Sequence, residues 1–321
     1  MMKYIINRLT IILPLFFVCF YFLLGGNSFA QSNDFTYHWE NVNGLKIFYR
    51  AAGNPSKPTI VLLHGVPSSS VMYQGVMELL KNDFYLVAPD YPAHGYSDVP
   101  PASYPFTFEN ISNTIYTLLN QLGIHHYSLY MQDYGAPVGF RLAVKHPEQI
   151  DALIVQNGNA YIEGFPDAQD PNGDLERYWR DKNKKYENNW IDSYRKESLV
   201  LPSQRNLGTG INPDRRNMDA EIMLKPGRLD LFMQLWFDYG NNVKSYPQWH
   251  EYLKKYQPPV LIAWGKEDNY FTVPGALAFL KDVPRAEIHL LNGGHWAVAE
   301  NNTAEIAELI ESFFRRSVIK P

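Results

Sequence analysis

Residues 129–139 read Leu-Tyr-Met-Gln-Asp-Tyr-Gly-Ala-Pro-Val-Gly, and this stretch decides which fold the chain is expected to adopt. An aromatic and aliphatic run precedes Asp133, a glycine follows two positions later, and a helical pattern begins there. This order predicts a strand, a sharp turn and a helix, the layout of a nucleophile elbow. The usual central residue is serine in Gly-x-Ser-x-Gly. A carboxylate at that position predicts attack on carbon and an alkyl ester, not acyl transfer.

The bulk composition excludes several classes of protein. The chain has 321 residues and a net charge of −4, with both signs interspersed. This length allows one large domain or a core with an insertion. The charge pattern predicts no nucleic-acid partner. We find no metal-ligand spacing, dinucleotide fingerprint or phosphate-binding loop in the sequence, so no cofactor and no metal is predicted.

Residues 1–30 have the pattern of a secretory signal peptide. Lys3 and Arg8 are basic, 11–24 is an apolar run too short for an ordinary membrane span, and 28–30 (Ser-Phe-Ala) ends small-x-small. We therefore predict cleavage near residue 30 and an exported protein, periplasmic or secreted, without stable membrane insertion after cleavage. An uncleaved N-terminal anchor is the alternative. Cys19, the one cysteine, lies inside the apolar run, so the mature chain would need no disulfide.

Strands and helices alternate along most of the remaining chain. Asn43-Gly44 separates strand-like segments 35–42 and 45–52 and predicts a β-hairpin. The alternation predicts a mostly parallel sheet covered by helices on both faces, with the antiparallel hairpin at one edge. Buried strands are predicted at 59–63, 84–88, 127–131, 152–156, 260–264 and 287–291, with helices at 70–81, 108–122, 135–146, 274–281 and 303–315.

The alternation stops between about 159 and 250. This stretch is rich in Tyr, Trp, Asn and charged residues, and helical patterns occur at 174–187, 190–198 and 228–237. It is too long to be a loop of a compact core. We predict a mainly helical cap at 159–250, inserted between a first part of the core at 31–158 and a second part at 251–321.

Three residues that can carry chemistry follow predicted strands. Asp133, Asp268 and His295 occur in that order. Ligands of open α/β sheets bind in the crevice outside the carboxyl ends of the strands, so we expect the three side chains to project together. The order nucleophile, acid and histidine is that of the α/β-hydrolases.

Over about residues 35–316 the chain resembles the α/β-hydrolase superfamily. His64-Gly65-Val66-Pro67 resembles its oxyanion loop, and 89–98 (Pro-Asp-Tyr-Pro-Ala-His-Gly-Tyr-Ser-Asp) resembles its loop after the fourth strand. Asp133 and the His-Gly-x-Pro loop are similar to epoxide hydrolases and haloalkane dehalogenases. The resemblance implies an α/β-hydrolase fold with a helical cap, acting on a small to medium hydrophobic electrophile and water.

The resemblance also implies a role for each site residue. Asp133 would attack the substrate and form a covalent ester. His295 would activate water as a general base, and Asp268 would orient its ring. The backbone N–H groups of Val66 and Tyr134 would form the oxyanion hole.

Epoxide hydrolases of this family protonate the opened ring with cap tyrosines. Residues 237–242 (Phe-Asp-Tyr-Gly-Asn-Asn) resemble one tyrosine-bearing segment, with Gly where Arg is common. We therefore predict Tyr239 as one proton donor. Tyr178 is predicted as the second, with Tyr186 as its alternative.

A haloalkane dehalogenase is the second hypothesis. Such enzymes commonly place Trp after the nucleophile and a second donor in the His-Gly-x-Pro loop or the cap. Tyr134 and Val66 stand at the first two positions, which leaves Trp179 and Trp190 as candidate cap donors. A non-catalytic binding protein of the same fold is a third hypothesis, disfavoured because the set of three residues is complete.

The other histidines are predicted to have no catalytic role. His94, His125, His126 and His146 have no identified partners, so we predict solvated side chains. His64 is predicted to be a structural hydrogen-bonding residue of its loop.

Overall fold

Eight strands form one sheet in a computed structural model of the chain, which describes residues 35–199, 212–296 and 301–318. The predicted signal peptide lies outside these residues. The strands are β1 (Thr36–Val42), β2 (Leu45–Ala52), β3 (Thr59–Leu63), β4 (Tyr85–Pro89), β5 (Tyr127–Gln132), β6 (Ile150–Gln156), β7 (Val260–Gly265) and β8 (Glu287–Leu291). Their order across the sheet is β1-β2-β4-β3-β5-β6-β7-β8.

The predicted sheet architecture is confirmed. β1 pairs with β2, and β2 with β4, in the antiparallel sense, whereas the remaining neighbours are parallel. Asn43 and Gly44 both have positive φ, as the two-residue turn of a tight hairpin requires. The predicted strand bounds differ from the observed ones by at most two residues.

Alternating residues of the central strands enter cores on opposite faces of the sheet. In β3, Val61 and Leu63 belong to one apolar cluster, and Ile60 and Leu62 belong to the other. This is the period of two that a strand covered on both faces requires.

Nine α-helices occur in the described residues. They are α1 (Gln74–Leu80), α2 (Phe108–Gln121), α3 (Gly135–Lys145), α4 (Asp174–Asp181), α5 (Lys184–Leu199), α6 (Pro213–Met223), α7 (Arg228–Tyr256), α8 (Val273–Ala278) and α9 (Thr303–Phe313). α1 and α9 contribute to one core, and α2, α3 and α8 to the other. None of the described helices has the length and hydropathy that crossing a membrane would require.

Several helix bounds differ from the sequence prediction. The segment predicted at 70–81 begins as a 3-10 turn and becomes α1 only at Gln74. The helix predicted at 174–187 is interrupted at Lys182, whose left-handed backbone ends α4 before α5 begins. Since left-handed residues cannot continue a right-handed helix, two helices replace one.

The helix predicted at 228–237 is much longer than expected. α7 extends through Gly240 and Pro247 to Tyr256, so the predicted end of the cap at 250 falls inside it. Glycine and proline usually weaken a helix at such internal positions. Here tertiary packing overrides these preferences. Gly240 allows the Trp179 ring to pack closely against the helix, since a Cβ at position 240 would lie 2.9 Å from that ring. Beyond the proline, Trp249 and Leu253 are buried. α6 was not predicted, although Asn212 and Pro213 supply a readable N-cap and first helical residue.

Candidate active site

Asp133 lies on a strained turn between β5 and α3. Its φ is +51°, in the left-handed region that a non-glycine residue occupies at a cost of order 1–3 kcal/mol. The turn is stabilised by the Ala136 N–H, which donates to the Asp133 carbonyl oxygen at 3.0 Å. The turn places the carboxylate beyond the carboxyl end of β5.

Two glycines allow neighbouring backbone to approach this turn. A Cβ at Gly135 would lie 2.1 Å from the Leu63 carbonyl oxygen. A Cβ at Gly65 would lie 2.1 Å from the Gln132 amide oxygen and 2.5 Å from the Asp133 Cβ. Since both contacts are far shorter than side chains tolerate, glycine is required on each side of the elbow.

Asp133, Asp268 and His295 lie together, as the strand ends predicted. His295 Nε2 is 3.5 Å from Asp133 Oδ2, and His295 Nδ1 is 2.7 Å from Asp268 Oδ2. All three are buried, with exposures of 6%, 5% and 8% in chain order. The imidazole therefore bridges two carboxylates that face its opposite nitrogens.

The two oxygens of Asp133 have different surroundings. The Val66 N–H donates to Oδ1 at 2.8 Å, whereas Oδ2 faces His295. Oδ1 is thus held by the loop predicted to bind the oxyanion, and Oδ2 faces the imidazole. Tyr134 follows directly as the first residue before α3, and the role of its N–H as the second donor stays a prediction.

The charges around His295 alter its titration. Burial alone lowers the pKa of His295, but the carboxylates of Asp268 and Asp133 outweigh it and raise that pKa to about 10. Burial opposes ionisation of Asp268 too, yet His295 and the N–H groups of Phe271 and Tyr270 hold its pKa below the usual value. The surrounding carboxylates therefore favour the protonated imidazole.

Asn157, which the sequence analysis missed, supports Asp268. It follows β6 as Asp133 follows β5, and its φ is +45°. Its Nδ2 donates to Asp268 Oδ2 at 2.8 Å and to the Gly265 carbonyl at 3.1 Å, and its Oδ1 accepts from the Gly265 N–H at 2.9 Å. A polar residue at the end of each central strand is the signal that could have identified it.

Two buried glutamines hold the loop that carries His295. Gln132 and Gln156 are the last residues of β5 and β6 and are fully buried. Each donates its Nε2 to the His295 carbonyl oxygen at 3.1 Å. The same carbonyl thus ties the histidine loop to both central strands.

The remaining histidines divide into buried and exposed ones. His64 has the predicted structural role, since its Nε2 accepts from the Tyr91 N–H at 3.1 Å and its Nδ1 contacts the Gly65 carbonyl at 2.9 Å. The prediction that His94 is solvated was wrong. It is buried, its Nδ1 contacts the Pro92 carbonyl, and burial lowers its pKa to about 4. His146 is half-buried against Tyr116, and His125 and His126 are exposed.

Tyr239 lies in an aromatic cluster between α7 and the core. Its ring centroid is 5.9 Å from Tyr134, 5.5 Å from Phe165 and 6.3 Å from Phe271. The side chain is fully buried, and its hydroxyl has no hydrogen-bond partner among the described residues. The Tyr246 side chain interacts with it and shifts its titration, but the two hydroxyls do not meet the geometry of a hydrogen bond. Burial first, and then Tyr246 and the Asp133 charge, raise the pKa of Tyr239 well above its usual value.

The other predicted tyrosines are already engaged. The Tyr178 hydroxyl donates to the Met233 carbonyl of α7 at 2.9 Å. Its proton therefore points at backbone, which argues against the predicted role as the second donor. The Tyr186 hydroxyl accepts from the Trp236 indole N–H at 3.3 Å.

The candidate halide donors are also occupied. The Trp179 indole N–H donates to the Trp236 carbonyl at 2.9 Å, and the Trp190 ring stacks on Phe232 at 4.4 Å. Gly240 lets Trp179 approach α7 closely, which explains glycine where the resemblance led us to expect arginine. Within the described ranges, no cluster of three or more His, Cys, Asp or Glu residues could hold a metal ion.

Comparison with known proteins places the chain in a family. The family described as alpha/beta hydrolase fold matches residues 58–302, so the chain belongs to the α/β-hydrolases, as its sheet and helices indicate. It is 38% identical over 281 residues to an uncharacterized hydrolase of Saccharomyces cerevisiae, covering 85% of this chain and 94% of that protein.

More distant relatives carry names that specify reactions. The chain is 27% identical over 270 residues to epoxide hydrolase 4 of Mus musculus, covering 79% of this chain and 72% of that protein. It is 24% identical over 277 residues to a haloalkane dehalogenase of Psychrobacter cryohalolentis, covering 84% and 87%. Because these identities are similar, the comparisons establish a hydrolase of this family and leave its reaction to the chemistry of the site.

Proposed function

We propose that the protein is an epoxide hydrolase that opens small to medium hydrophobic epoxides through a covalent ester on Asp133. The observation that carries this proposal is the Tyr239 hydroxyl, buried near Asp133 and without a hydrogen-bond partner in the described part of the chain. An epoxide oxygen must gain a proton as its ring opens. A buried hydroxyl with an uncommitted proton is suited to supply it.

In the first step, Asp133 Oδ2 forms a bond to an epoxide carbon while the bond from that carbon to the ring oxygen breaks. The Val66 N–H keeps Oδ1 in place, so the other oxygen is presented to the substrate. The Tyr239 proton moves to the ring oxygen and leaves a tyrosinate. Fixed geometry and exclusion of water make a buried carboxylate an effective nucleophile.

Ester formation itself prepares His295 for the second step. The ester at Asp133 is neutral, so one of the two charges that raise the pKa of His295 to about 10 disappears. The imidazolium proton then passes to the tyrosinate, which restores Tyr239 and leaves His295 neutral. Asp268 keeps the ring oriented through its 2.7 Å contact with Nδ1.

Neutral His295 next takes a proton from a water molecule, and the hydroxide attacks the ester carbonyl carbon. Charge develops on Oδ1, which the Val66 N–H already contacts. Cleavage of the ester releases the diol. The site returns to a carboxylate at Asp133 and an imidazolium at His295, so one water is consumed and every proton is accounted for.

The surroundings of the site favour a hydrophobic substrate. Aromatic rings from the core and from α7 surround Tyr239, including Phe108, Tyr134, Phe165 and Phe271. Such a lining is suited to an aryl or alkyl group beside the reacting ring. A departing halide would instead need N–H donors, and the Trp179 N–H is committed to backbone.

The experiment is intact-mass spectrometry of a His295→Ala variant. The purified variant is incubated separately with aryl epoxides and with bromoalkanes, and the modified peptide is mapped. Removing the base should trap the ester. We expect an adduct with the mass of the whole epoxide on Asp133, and no adduct in a His295→Ala, Asp133→Asn double variant.

Two results would overturn the proposal. An alkyl adduct formed with loss of bromide, and none from the epoxides, would indicate a dehalogenase. No adduct from either panel, with circular dichroism showing folded protein, would indicate that Asp133 does not act as the nucleophile on these electrophiles.

A further inference from the structure

Three buried tyrosines whose pKa the Asp133 charge raises have hydroxyls without a partner among the described residues: Tyr91, Tyr134 and Tyr239. Tyr91 stacks on His64 at 3.9 Å in the loop after β4. Tyr134 directly follows the elbow aspartate, and its ring centroid is 5.9 Å from that of Tyr239. Burial raises the pKa of Tyr134 and of Tyr239, and the Asp133 charge raises both further.

The Tyr134 ring lies at the boundary between the core and the cap segment. Its centroid is 4.8 Å from Phe108 of α2 and 6.2 Å from Phe232 of α7. Apolar rings therefore enclose it, and a buried hydroxyl in such surroundings loses free energy unless it is paired. A substrate oxygen held between Tyr134 and Tyr239 would provide that pairing.

The hydroxyls of the neighbouring tyrosines of the cap segment each have a hydrogen-bond partner in the described structure. Tyr178 donates its proton to the Met233 carbonyl, and Tyr186 accepts from Trp236. The Tyr246 hydroxyl accepts from Asn159 Nδ2 at 3.2 Å.

We propose that the Tyr134 side chain is the second acid of the site, pairing with Tyr239 on the epoxide oxygen. This inference rests on the proposed epoxide hydrolysis and replaces the second cap tyrosine predicted from the sequence. Both hydroxyls donate hydrogen bonds to the ring oxygen. As the carbon–oxygen bond breaks, one proton is transferred to that oxygen and the other hydroxyl stabilises the resulting tyrosinate.

The arrangement gives Tyr134 two functions, one from its backbone and one from its side chain. Its N–H is the predicted donor to the ester oxyanion, and its side chain acts on the opposite end of the reaction, the ring oxygen. A Tyr134→Phe substitution removes only the hydroxyl, so it isolates the second function without removing the backbone donor.

The experiment measures rapid-quench rates of ester formation with an aryl epoxide in the His295→Ala background. Tyr134→Phe and Tyr239→Phe are compared singly and together. Tyr130→Phe is the matched control, because Tyr130 is also fully buried with an unpartnered hydroxyl in the described structure but belongs to the core on the other face of the sheet.

We expect Tyr134→Phe to slow ester formation about 10²-fold, in the range of a general acid. The Tyr134→Phe, Tyr239→Phe double variant should form no detectable ester. Tyr130→Phe should form the ester as fast as the His295→Ala parent. The thermal midpoints of all variants are measured in parallel.

Tyr134 would be a packing residue if Tyr134→Phe formed the ester as fast as the His295→Ala parent while Tyr239→Phe formed it more slowly. Equal slowing by Tyr130→Phe would also overturn the inference, because the effect would then be structural. Failure of the proposed function itself is a separate result, in which the His295→Ala parent forms no epoxide ester at all.

Discussion

Asp133 and Asn157 occupy matching places at the ends of neighbouring parallel strands, yet they perform different tasks. Both have left-handed backbones, with φ of +51° and +45°, and the Asp133 N–H donates to the Asn157 carbonyl at 3.2 Å. The carboxylate of the first faces His295 Nε2. The amide of the second binds Asp268, which faces Nδ1. The same backbone geometry thus presents a charged group on one side of the histidine and a neutral support on the other.

The difference has an electrostatic reason. Asp133 and Asp268 already place two negative charges at one imidazole, and a third carboxylate beside Asp268 would have no cation left to balance it. An amide supplies both a donor for Asp268 and an acceptor for the Gly265 N–H. The neutral residue therefore stabilises the ionised state that Asp268 needs to orient His295.

Removing the charge of Asp133 should have the largest effect on turnover. Asp133→Asn keeps the size and the acceptor for the Val66 N–H but has no nucleophilic carboxylate. We expect epoxide turnover to fall at least about 10⁴-fold, as when a covalent nucleophile is lost. Product formation by chromatography measures it, with an early time course because slow deamidation would restore activity. Turnover within tenfold of the parent from the first minutes would refute the role of Asp133.

Adding a charge at the second position should have the next largest effect. Asn157→Asp would place two carboxylates in contact, since the amide nitrogen is now 2.8 Å from Asp268 Oδ2. One of them must hold a proton at neutral pH, which loosens Asp268 from His295. We expect turnover to fall about 10²-fold, comparable with loss of general-base assistance.

The matched control for this variant is Asn120→Asp. Asn120 is a half-buried residue of α2, remote in sequence from the strand ends, and its substitution adds the same charge. Steady-state kinetics with an epoxide compares the two variants. Equal turnover in Asn157→Asp and Asn120→Asp would show that Asn157 does not support the acid.

The third prediction concerns the effect of the Asp133 carboxylate on the pKa of His295. Asp133→Asn removes one of the carboxylates that raise the pKa of His295 to about 10, so that pKa should fall. The imidazole pKa is measured by NMR titration of ring protons in both proteins. An unchanged pKa in the variant would contradict a direct interaction with Asp133.

The same charge makes stability depend on pH. The folded pKa of about 10 exceeds the unfolded value of 6.5, so this contribution is fully present below pH 6.5 and is lost as pH rises toward 10. We expect the free energy of unfolding, measured with urea, to decrease across that window in the parent. The decrease should be smaller in Asp133→Asn and should end at a lower pH.

The catalytic candidates could be predicted from the sequence, whereas Asn157 could not. Asp133, Asp268 and His295 were identified because each follows a strand-like run and the carboxyl ends of parallel strands converge. Asn157 was missed because an amide after a strand carries no chemical signature by itself. Its function arises from a contact with Asp268, 111 residues away in the chain.

The cap segment was predicted less accurately for a related reason. The helical pattern was predicted only for 228–237, whereas α7 continues through Gly240 and Pro247, two residues that weaken a helix locally. Burial of its aromatic face overrides these local preferences. The availability of the tyrosine hydroxyls likewise depends on tertiary contacts, such as the Met233 carbonyl that binds Tyr178, and no spacing in the sequence reveals them.

The smallest expected effect tests whether the ends of β5 and β6 act together on the histidine loop. Gln132 and Gln156 donate to the same His295 carbonyl, so either one alone leaves that oxygen paired. Gln132→Leu should cost about 1 kcal/mol in the free energy of unfolding, the net contribution of one hydrogen bond. Gln156→Leu should cost about twice that, because Gln156 Nε2 also donates to Asn157 Oδ1 at 2.8 Å. The double variant should lose more than the sum, because the buried carbonyl then has neither donor.

A double-mutant cycle, with stabilities measured by urea denaturation, gives this coupling. Epoxide turnover is measured as well, because it should fall if His295 is displaced. We expect single variants to keep turnover within about threefold and the double variant to lose roughly tenfold, equivalent to about 1.4 kcal/mol in the barrier. Strictly additive stabilities would show that the two strands act independently on the loop. The ends of β5 and β6 would then be joined by the contact of the Asp133 N–H with the Asn157 carbonyl, and not through the His295 carbonyl.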